Sequence, residues 1–531
     1  MNDRRRKHWG WGYEDEQTPL AEQRAAAPGI AAHLGFGSGE LEEPCPLEQV
    51  ELAAPRLAPP AALAEICSSE DYDRALHSYG RAYRDIVRAF RGRFDHPPDV
   101  VAHPRDEREV EAVLEWCDDA GAALIPFGGG TSVVGGVEPR VSERYAGTVS
   151  LDLKALDRVL EVDSVSRAAR IQAGALGPQL ETQLAGQGLT LRHFPQSFQF
   201  STLGGWIATR AGGHFATLYT HIDDLVESIR AISPAGAWES FRLPGSGAGP
   251  SPDRMLLGSE GTLGVITEAW VRLQDKPVHR RSTGVSFADF FAGAEAVRAL
   301  AQTKLYPTNC RLIDAAEAAL TGAGDGEHAL LVLGFESADH PVDEPMALAL
   351  AICAEHGGTW TERTGGDSAD GGAVSSWRDA FLRAPYIRDT FIAMGVLSDT
   401  FETAITWDRF EDFVATARAA AEEGLRAHAG GAGTVTCRLT HVYPDGAAPY
   451  FTVMAPAERG GELEQWDAIK QLVSDAVNGA GGTITHHHAV GRDHRPWYDR
   501  QRPDPFALAL RGAKATLDPK AILNPGVLID P

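Results

Sequence analysis

Three glycine-rich segments could bind an anion through their main chain. The first, Pro126–Gly136, reads PFGGGTSVVGG and follows the strand-like run Ala123–Pro126. Consecutive glycines let successive N–H groups face one concavity, which can hold a diphosphate without a lysine. Thr131 and Ser132 add hydroxyl donors. A glycine-rich hairpin turn is the alternative for this segment alone, because glycine runs are common in turns.

The second and third segments favour a nucleotide cofactor over a simple turn. Pro195–Gly213 combines polar donors, paired glycines and an apolar Trp-Ile-Ala helix start. Gly258–Thr267 is a glycine turn that leads into a strand. Gly245–Gly249 is a poor dinucleotide fingerprint, because Pro250-Ser-Pro252 follows it instead of a helix. The sequence therefore gives no good signal for NAD.

The second half contains single residues that could carry protons or bind anions. Tyr450 could supply a phenolic proton, although a tyrosine in a strand is more often a packed core residue. Arg388 and Arg409 lie near aromatic residues, and arginine suits phosphate or carboxylate. We assign anion binding to Arg388 and a surface ion pair to Arg409. Arg311 lies in a strand-like run, where its charge needs a partner.

Three consecutive histidines, His486, His487 and His488, follow a Gly-Gly turn. On an extended strand, His486 and His488 would face one side and His487 the other. A neutral histidine suits general-base chemistry near pH 7, and histidine is also a common metal ligand. Adjacent histidines on a strand cannot all reach one ion, and no Cys, Asp or Glu cluster lies nearby. The sequence therefore predicts no metal site.

Two patterns of elements must position these residues. The pattern of residues 98–275 is typical of βαβ structure, with an amphipathic helix predicted over Asp106–Ala122. The predicted strands of this half are Val100–Ala102, Ala123–Pro126, Thr148–Leu153 and Ala168–Ala173. Before this region, the spacing predicts one helix over Glu70–Arg91 and a loop or wrapping arm over Ala26–Ala64.

From Ser282 the chain forms two halves of strand–helix–strand character, which indicates a ferredoxin-like antiparallel sheet with helices on one face. The predicted strands are Gly284–Phe287, Ala329–Phe335, Thr434–Arg438 and Tyr450–Met454. The predicted helices are Ala288–Ala301, Pro345–Glu355, Trp407–Arg426 and Glu462–Asn478.

Composition excludes several classes of protein. The chain has 531 residues, 43% of them hydrophobic, and a net charge of −24, which on average repels nucleic acid and anionic membranes. No apolar run approaches the roughly 20 residues of a spanning helix. The basic start, Met1–Gly12, lacks a following apolar stretch, and Leu528–Pro531 is not a peroxisomal signal. The six cysteines form no CxxC pair. We expect a cytoplasmic protein, and the Ala, Arg and Gly bias suggests a bacterial source.

The three glycine segments, in this order and spacing, resemble the vanillyl-alcohol-oxidase (PCMH-type) flavoprotein superfamily over Pro98–Asp275. The resemblance implies an α+β fold with a two-subdomain PCMH-type FAD-binding domain and a ferredoxin-like antiparallel-sheet cap. It implies FAD, which we expect to be non-covalent because the first loop has no histidine. The residues implied to cradle the pyrophosphate are Pro126, Phe127, Gly128, Gly129, Gly130, Thr131 and Ser132. Those implied to line the cofactor are Gln196, Ser197, Phe198, Gln199, Phe200, Ser201, Thr202, Thr209, Arg210, Ala211 and Gly212. Those implied on the adenosine side are Glu260, Gly261, Thr262, Leu263, Gly264, Val265 and Ile266.

Most of Tyr79–Leu528 resembles the alkyldihydroxyacetonephosphate synthases. The matching stretches include Ser201–Trp206, Arg388–Thr390, Phe401–Thr403, Trp407–Arg409, Thr436–Arg438 and His486–His488. In that family the flavin N5 adds to acyl-dihydroxyacetone phosphate, the fatty acid leaves and a fatty alcohol replaces it, so an ether bond forms. The resemblance implies that Tyr450 donates and accepts the proton and that His486, His487 and His488 form the active-site cluster. It also implies that Arg388 binds the substrate phosphate and that Arg311 supports the site.

Two other functions remain as alternatives. The runner-up is a flavin dehydrogenase or oxidase for a 2-hydroxy acid such as D-lactate or glycolate. Those relatives hold a divalent metal with a Gly-Asp-Gly-Asn-Leu-His loop and a Glu-His-Gly segment, where this chain has Tyr443–Tyr450 and His487-His488. We therefore prefer ether transfer. A flavin-storage or scaffold protein is the third alternative, and the clustered Tyr, Arg and His residues argue against it.

The preferred function sets further expectations. We expect lipid-like small-molecule substrates, an apolar tunnel in the cap, peripheral membrane contact, a homodimer and no nucleic-acid partner. The predicted divisions are residues 1–95 as an N-terminal arm and helix, 96–275 as the FAD-binding domain, 276–495 as the cap, and 496–531 as a segment that returns to the FAD domain.

Overall fold

A computed structural model describes residues 4–361 and 373–530 of the chain. Residues 1–3, 362–372 and 531 lie outside the described part. They include Met1, where the predicted N-terminal arm begins, and Pro531, where the predicted C-terminal segment ends.

The N-terminal region is more helical than predicted. Helix α1 (Leu20–Leu34) occupies the first part of Ala26–Ala64, so the loop prediction is wrong there. Its alanine-rich sequence explains the difference, because alanine has the highest helix propensity. Helix α1 lies against the cap: its buried Ala27 packs in one apolar cluster with Phe391 and Met394.

The single helix predicted over Glu70–Arg91 is two helices, α2 (Asp71–Leu76) and α3 (Tyr83–Phe90). The interruption is caused by a contact with the first glycine segment. A Cβ at Gly80 would lie 2.1 Å from the carbonyl oxygen of Ser132. The next residue, Arg81, donates its main-chain N–H to that same oxygen at 2.6 Å. The chain therefore leaves the helix to approach the loop.

Strands of the first half form two sheets and a short pair. Their bounds are β1 (Cys67–Ser68), β2 (Val100–Ala102), β3 (Ala123–Phe127), β4 (Thr148–Asp152), β5 (Val159–Asp163), β6 (Ala168–Gln172), β7 (Leu189–Thr190), β8 (Val226–Ser233), β9 (Gly236–Glu239), β10 (Val265–Arg272) and β11 (Gln274–Asp275). One sheet has the order β1-β2-β4-β3, with β4 parallel to both neighbours. The other is antiparallel, with the order β5-β6-β10-β8-β9, and β7 pairs with β11. The predicted strands of this half are confirmed.

Helices cover these sheets. Their bounds are α4 (Glu107–Ala120), α5 (Gly177–Ala185), α6 (Leu203–Thr209) and α7 (Asp253–Leu256). Helix α4 confirms the prediction over Asp106–Ala122. The Asp106 carboxylate accepts the Glu109 N–H at 3.0 Å and so caps the helix. Its buried face carries Val110, Val113, Leu114 and Cys117, as the spacing predicts.

The cap contains one seven-stranded sheet. Its strands are β12 (His279–Phe287), β13 (Asn309–Ile313), β14 (Ala329–Ser337), β15 (Val396–Glu402), β16 (Ile405–Thr406), β17 (Thr434–Val442) and β18 (Gly446–Pro456). All recorded pairs in it are antiparallel, in the order β12-β14-β13-β17-β18-β15 with β16 beside β18. The helices are α8 (Phe290–Ala301), α9 (Ala315–Leu320), α10 (Asp343–Glu355), α11 (Ala373–Ala393), α12 (Phe410–His428) and α13 (Glu462–Gly479). The α+β class and the antiparallel cap are confirmed, and the four predicted cap strands extend beyond their predicted bounds.

The C-terminal residues pack against the glycine segments. The C-terminal region contains α14 (Arg495–Gln501) and α15 (Asp504–Leu517). Beyond α15, the carbonyl of Ile522 accepts the main-chain N–H of Leu124 in β3 at 2.8 Å. The Asn524 amide donates to the carbonyls of Gly136 at 3.0 Å and Glu260 at 2.7 Å. The tail therefore ties the first and third segments together. Among the described residues, no helix has the length and apolar character needed to cross a bilayer.

Candidate active site

The first glycine segment leaves a row of main-chain donors without protein acceptors. It begins where β3 ends, and a Cβ at Gly129 would lie 1.7 Å from the carbonyl oxygen of Phe200. In the described part of the chain, no main-chain N–H from Gly129 to Ser132 donates to a protein acceptor. Unpaired N–H groups are costly unless a ligand accepts from them. This loop is therefore suited to the diphosphate of FAD.

The second segment packs directly on the first. The Thr202 Oγ1 accepts the Gly205 N–H at 3.2 Å and caps α6. A Cβ at Gly128 would lie 2.3 Å from that oxygen. The Ser201 Oγ accepts the indole N–H of Trp206 at 2.7 Å, and Gln199 accepts the hydroxyl of Tyr386 from the cap. This segment thus reaches both the glycine loop and helix α11.

Several predicted cofactor residues use their side chains within the protein. Arg210 forms an ion pair with Asp223 at 2.7 Å, and the Thr209 hydroxyl donates to the Gly205 carbonyl at 2.8 Å. The Glu260 carboxylate accepts the N–H groups of Val490 at 3.0 Å and Gly491 at 2.9 Å. Burial raises the pKa of Glu260 to about 7, although these N–H groups oppose the shift. These side chains position the segments.

The rest of the third segment forms the turn into β10. A Cβ at Gly261 would lie 2.8 Å from Cγ of Pro126, so the third segment packs on the start of the first. The Thr262 hydroxyl donates to the Ser259 carbonyl at 2.7 Å. Leu263 and Ile266 are buried, and Ile266 pairs with Ala231 of β8.

An arginine of the N-terminal arm also reaches the glycine loop, and the sequence analysis did not assign it. Arg6 is 8% exposed and donates to the Gly129 carbonyl at 2.6 Å. Its Nε and Nη2 have no hydrogen-bond partner among the described residues. The next residue, Lys7, pairs with Asp389 of α11 at 2.8 Å. A buried guanidinium beside unpaired N–H groups fits a cofactor that carries phosphates.

The triple histidine is not on a strand, so the predicted alternation is wrong. His486–His488 form a bend around the carboxylate of Glu402 at the end of β15. Glu402 Oε2 accepts the N–H of His486 at 2.6 Å and of His487 at 3.1 Å, and Oε1 accepts the N–H of His488 at 3.0 Å. The bend arises because all three N–H groups turn towards one buried anion.

Around this bend lies a cluster of rings. His486 Nε2 lies 2.7 Å from the Tyr443 hydroxyl, and its ring centroid lies 4.5 Å from that of His221. The rings of His487 and Tyr450 are stacked, with their centroids 6.1 Å apart. The rings of His488 and Tyr450 meet edge to face, with their centroids 5.6 Å apart. The bend therefore directs His486 towards Tyr443 and His221, and places both of its neighbours beside Tyr450.

Tyr450 has the surroundings of a proton-transfer group. Its hydroxyl donates to Thr400 Oγ1 at 3.1 Å. The guanidinium of Arg438 lies 3.9 Å from the centre of its ring, and Arg438 pairs with Glu317 at 2.9 Å. A cation over the ring stabilises electron density there. The structure therefore brings Tyr450 beside His487 and His488, and its role in proton transfer stays a prediction.

Burial keeps these histidines neutral. It lowers the pKa of His487 to about 3, against an opposing attraction from Glu402. It also lowers the pKa of His486 and His488 below the usual range. Burial would raise the pKa of Glu402, but attraction from the neighbouring histidines and hydrogen bonding outweigh it and lower that pKa. The arrangement therefore places neutral imidazoles, which can accept a proton, beside a carboxylate whose charge would stabilise that proton.

A glycine joins the FAD segment to the histidines. A Cβ at Gly212 would lie 3.0 Å from Cε1 of His441 and 3.2 Å from Cβ of His487. The second glycine segment and the histidine bend are therefore in direct contact. This contact places the predicted cofactor residues and the predicted catalytic residues in one site.

Nitrogen atoms of His441, His486 and His487 come within 4.8 Å of one another, so a histidine set of metal-binding size does form. The strand assumed in the argument against it is not present, and the set joins two of the three adjacent histidines with His441. Protein groups already engage these nitrogens, however: His441 Nε2 lies 3.2 Å from the Gly213 carbonyl and its Nδ1 lies 3.1 Å from Thr440 Oγ1. The absence of a metal stays a prediction.

The predicted arginines differ in environment. Arg388 is half-buried and donates to the Arg81 carbonyl at 3.2 Å, while the neighbouring Asp389 is taken by Lys7. Arg311 is buried in β13 and donates to the His214 carbonyl at 2.9 Å. Burial, together with Arg438, lowers the pKa of Arg311 to about 10. Arg409 donates to the Gly481 carbonyl at 3.3 Å, and among the described residues no ion pair of Arg409 is found.

Sequence reasoning missed several members of this site. The sequence analysis included Glu402 and Arg438 only as members of stretches that match the family. It assigned no role to His441 or His221. His193 was also missed: it is 1% exposed, and neither ring nitrogen has a partner among the described residues. One signal was available for Glu402, because a carboxylate at the end of an apolar strand needs buried donors.

Family models match both halves of the chain. Residues 98–242 match the FAD binding domain, and residues 276–528 match the C-terminal domain of FAD linked oxidases. Together with the unpaired glycine loop, these matches define the chain as a flavoprotein enzyme of the PCMH type, with FAD as its cofactor.

Full-length relatives narrow the class. The alkyldihydroxyacetonephosphate synthase of Dictyostelium discoideum is 31% identical over 487 residues, which cover 86% of this chain and 77% of the relative. A solved structure of an alkyldihydroxyacetonephosphate synthase matches with a TM-score of 0.81 at 25% identity, covering 98% of this chain and 97% of that one. Glycolate oxidase subunit GlcD of Bacillus subtilis is 25% identical, covering 81% of this chain and 88% of the relative. The chain belongs to the alkyldihydroxyacetonephosphate synthase family.

Proposed function

We propose that this enzyme replaces the acyl chain of an acyl-dihydroxyacetone phosphate by a fatty alcohol, and so makes an ether lipid precursor. The observation that carries the proposal is the position of Tyr450, which lies between His487, His488 and Arg438. Membership of the synthase family supports the substrate class. The net exchange is redox-neutral: the bond between C1 and the acyl oxygen breaks and a carboxylate leaves, while the alcohol oxygen bonds to C1 and its hydroxyl proton is released.

The residues divide the work by their surroundings. FAD, when bound, supplies an electron-poor ring that can hold the substrate carbon during the exchange. His487 or His488 accepts a proton from C1, because both are neutral and buried. Tyr450 moves a proton at its hydroxyl oxygen to or from the departing and arriving oxygen atoms.

Two arginines hold the substrate in this scheme. Arg388 binds the phosphate, since it is half-buried and its neighbour Asp389 is engaged by Lys7. Arg311 supports the site from β13, where its donation to the His214 carbonyl links the cap to the loop after the second glycine segment.

The decisive experiment compares two reactions of the purified enzyme. We expect labelled hexadecanol and palmitoyl-dihydroxyacetone phosphate to give a labelled ether without reduction of a dye acceptor. D-Lactate or glycolate with the same dye should give no reduction. Dye reduction that depends on the hydroxy acid, with no ether product, would establish the oxidase alternative instead.

Assembly and location complete the proposal. A fatty alcohol partitions into membranes, so we infer peripheral membrane contact by a bacterial enzyme that works in the cytoplasm. We also infer a homodimer and a non-covalent flavin. Light scattering reports the mass of the assembly, co-sedimentation with lipid vesicles reports membrane contact, and acid precipitation should release the flavin into the supernatant.

The domain division belongs to the same proposal. Residues 96–275 would hold FAD and residues 276–495 would hold the substrate, with the arm and the C-terminal segment fastening the two. Limited proteolysis with and without FAD should then cut between these parts before it cuts within them.

A further inference from the structure

A single buried carboxylate holds the main chain of all three active-site histidines. Glu402 is 2% exposed, and its two oxygens accept the N–H groups of His486, His487 and His488 at 2.6, 3.1 and 3.0 Å. The Thr485 hydroxyl donates to the same carboxylate. Four donors from consecutive residues on one anion are a local nest, occupied by the protein's own side chain.

The carboxylate also lies beside two of the imidazoles. Glu402 Oε2 is 3.3 Å from His487 Nδ1, and Oε1 is 3.7 Å from His488 Nδ1. A proton that arrives on either ring would meet a negative charge at once. An opposite charge at this distance raises a histidine's proton affinity, most strongly where water is excluded.

Register connects the carboxylate to the tyrosine. Glu402 on β15 is the direct cross-strand partner of Tyr450 on β18. Directly opposite residues in an antiparallel ladder project to the same side of the sheet. One strand pair therefore fixes the tyrosine and, through Glu402, the histidines that face it.

We propose that Glu402 is a positioning residue, whose carboxylate holds the bend at His486–His488 and spreads the imidazoles around Tyr450. Its second role is to stabilise a proton taken up by His487 or His488. The first role is independent of the reaction, whereas the second rests on the proposed function.

Other charged and titratable groups around the bend must be considered in any pH measurement. They are His221, His441, Tyr443, Tyr450, Arg438, Asp399, Lys470 and Arg388. The carboxylate of Glu402 differs from all of them, because it accepts the main-chain N–H groups of all three histidines.

Glu402→Gln tests the first role. The amide keeps one acceptor oxygen but turns an NH₂ group towards N–H donors. We expect amide hydrogen exchange in the peptide spanning residues 483–490 to accelerate about tenfold to a hundredfold, the range for losing hydrogen bonds to a charged group. The matched control is Glu268→Gln, a buried glutamate of β10 paired with Arg170, which should leave this peptide unchanged. Unchanged exchange in Glu402→Gln would overturn the proposal.

The second role is read from kcat for ether formation. Glu402→Gln removes the negative charge that would stabilise a proton on His487 or His488, so kcat should fall at least about tenfold. Glu402→Asp keeps the charge, so it should retain more of kcat than its partial loss of exchange protection in residues 483–490 would predict. A merely structural role would make kcat fall in step with that protection in both variants.

These outcomes separate the two proposals. If the wild-type enzyme makes no ether, the proposed function fails, while the exchange experiment still decides whether Glu402 holds the bend. If Glu402→Gln does not fold, amide hydrogen exchange in Glu402→Asp decides whether Glu402 holds the bend. A shorter carboxylate should give intermediate protection of residues 483–490, and wild-type protection would contradict the assignment.

Discussion

Glu402 and Tyr450 face each other across the β15–β18 ladder. The carboxylate of the first collects the main chain of the histidine bend, and the phenol of the second lies against two of the rings in that bend. The distance between the tyrosine and the histidines is thus set by strand register. A slip of β15 by one residue would turn Glu402 to the face of the sheet opposite Tyr450.

Tyr450→Phe should abolish most turnover and leave the flavin bound. The change removes only the hydroxyl that donates to Thr400 Oγ1, while the ring keeps its contacts with His487 and Arg438. Proton transfer by a positioned side chain is typically worth about 100-fold to 10,000-fold in rate. We expect kcat for ether formation to fall by that range.

The control for this change is Tyr79→Phe. Tyr79 is a buried tyrosine whose hydroxyl donates to the Arg93 carbonyl. Its removal should alter stability but not the rate per bound flavin. Wild-type kcat in Tyr450→Phe would remove Tyr450 from the chemistry.

Gly129→Val should lose FAD. A Cβ at this position would lie 1.7 Å from the Phe200 carbonyl oxygen and 2.7 Å from its carbon. The loop would have to move, and its N–H groups would no longer converge on the diphosphate. Flavin absorbance per protein after purification measures the effect. Gly186→Val is the control, because nothing lies within 4 Å of a Cβ there. Full flavin content in Gly129→Val would show that the diphosphate binds elsewhere.

Arg388→Met should weaken substrate binding more than it slows the reaction. A charge-assisted hydrogen bond to phosphate is worth about 1.5–3 kcal/mol, so KM should rise roughly tenfold to a hundredfold. The variant and the wild type should behave alike with an acyl-dihydroxyacetone that lacks the phosphate. Arg409→Met, which removes an exposed contact with the Gly481 carbonyl, is the comparison variant. If Arg388→Met and the wild type had equal KM values for the phosphorylated substrate, the phosphate would bind away from Arg388.

Local patterns predicted the elements but not the contacts between them. Strand β2 and helix α4 follow from spacing within their own residues. Gly80 interrupts a helical pattern because it meets Ser132, far along the chain. His441 reaches the site after a register shift between Leu439 and His441 in β17. Such shifts depend on tertiary packing, so single-sequence periodicity does not contain them.

The histidine bend shows the same limit. A run of three histidines after a strand-like segment reads as a strand when only neighbours are considered. Glu402, more than eighty residues earlier, supplies the acceptor that reverses this expectation. The chemistry of the cluster was therefore predictable from residue types, whereas its shape required the buried anion.

Acid should destabilise the protein through a buried histidine outside the proposed chemistry. His494 is 2% exposed, its Nδ1 lies 3.0 Å from the Ala489 carbonyl, and burial lowers its pKa to about 3. The unfolded chain binds a proton on this ring below about pH 6.5, whereas the folded chain does not until about pH 3. Its stabilising contribution is thus complete above pH 6.5 and is lost as pH falls, by about 2 kcal/mol at pH 5.

His494→Asn should flatten this dependence, because an amide nitrogen can donate to the same carbonyl and does not titrate. Urea unfolding at several pH values between 5 and 8 measures it, and the variant should lose less stability on acidification than the wild type. His33→Asn, which changes an exposed histidine of α1, should follow the wild-type curve. Parallel curves for His494→Asn and the wild type would show that His494 is protonated without cost in the folded state.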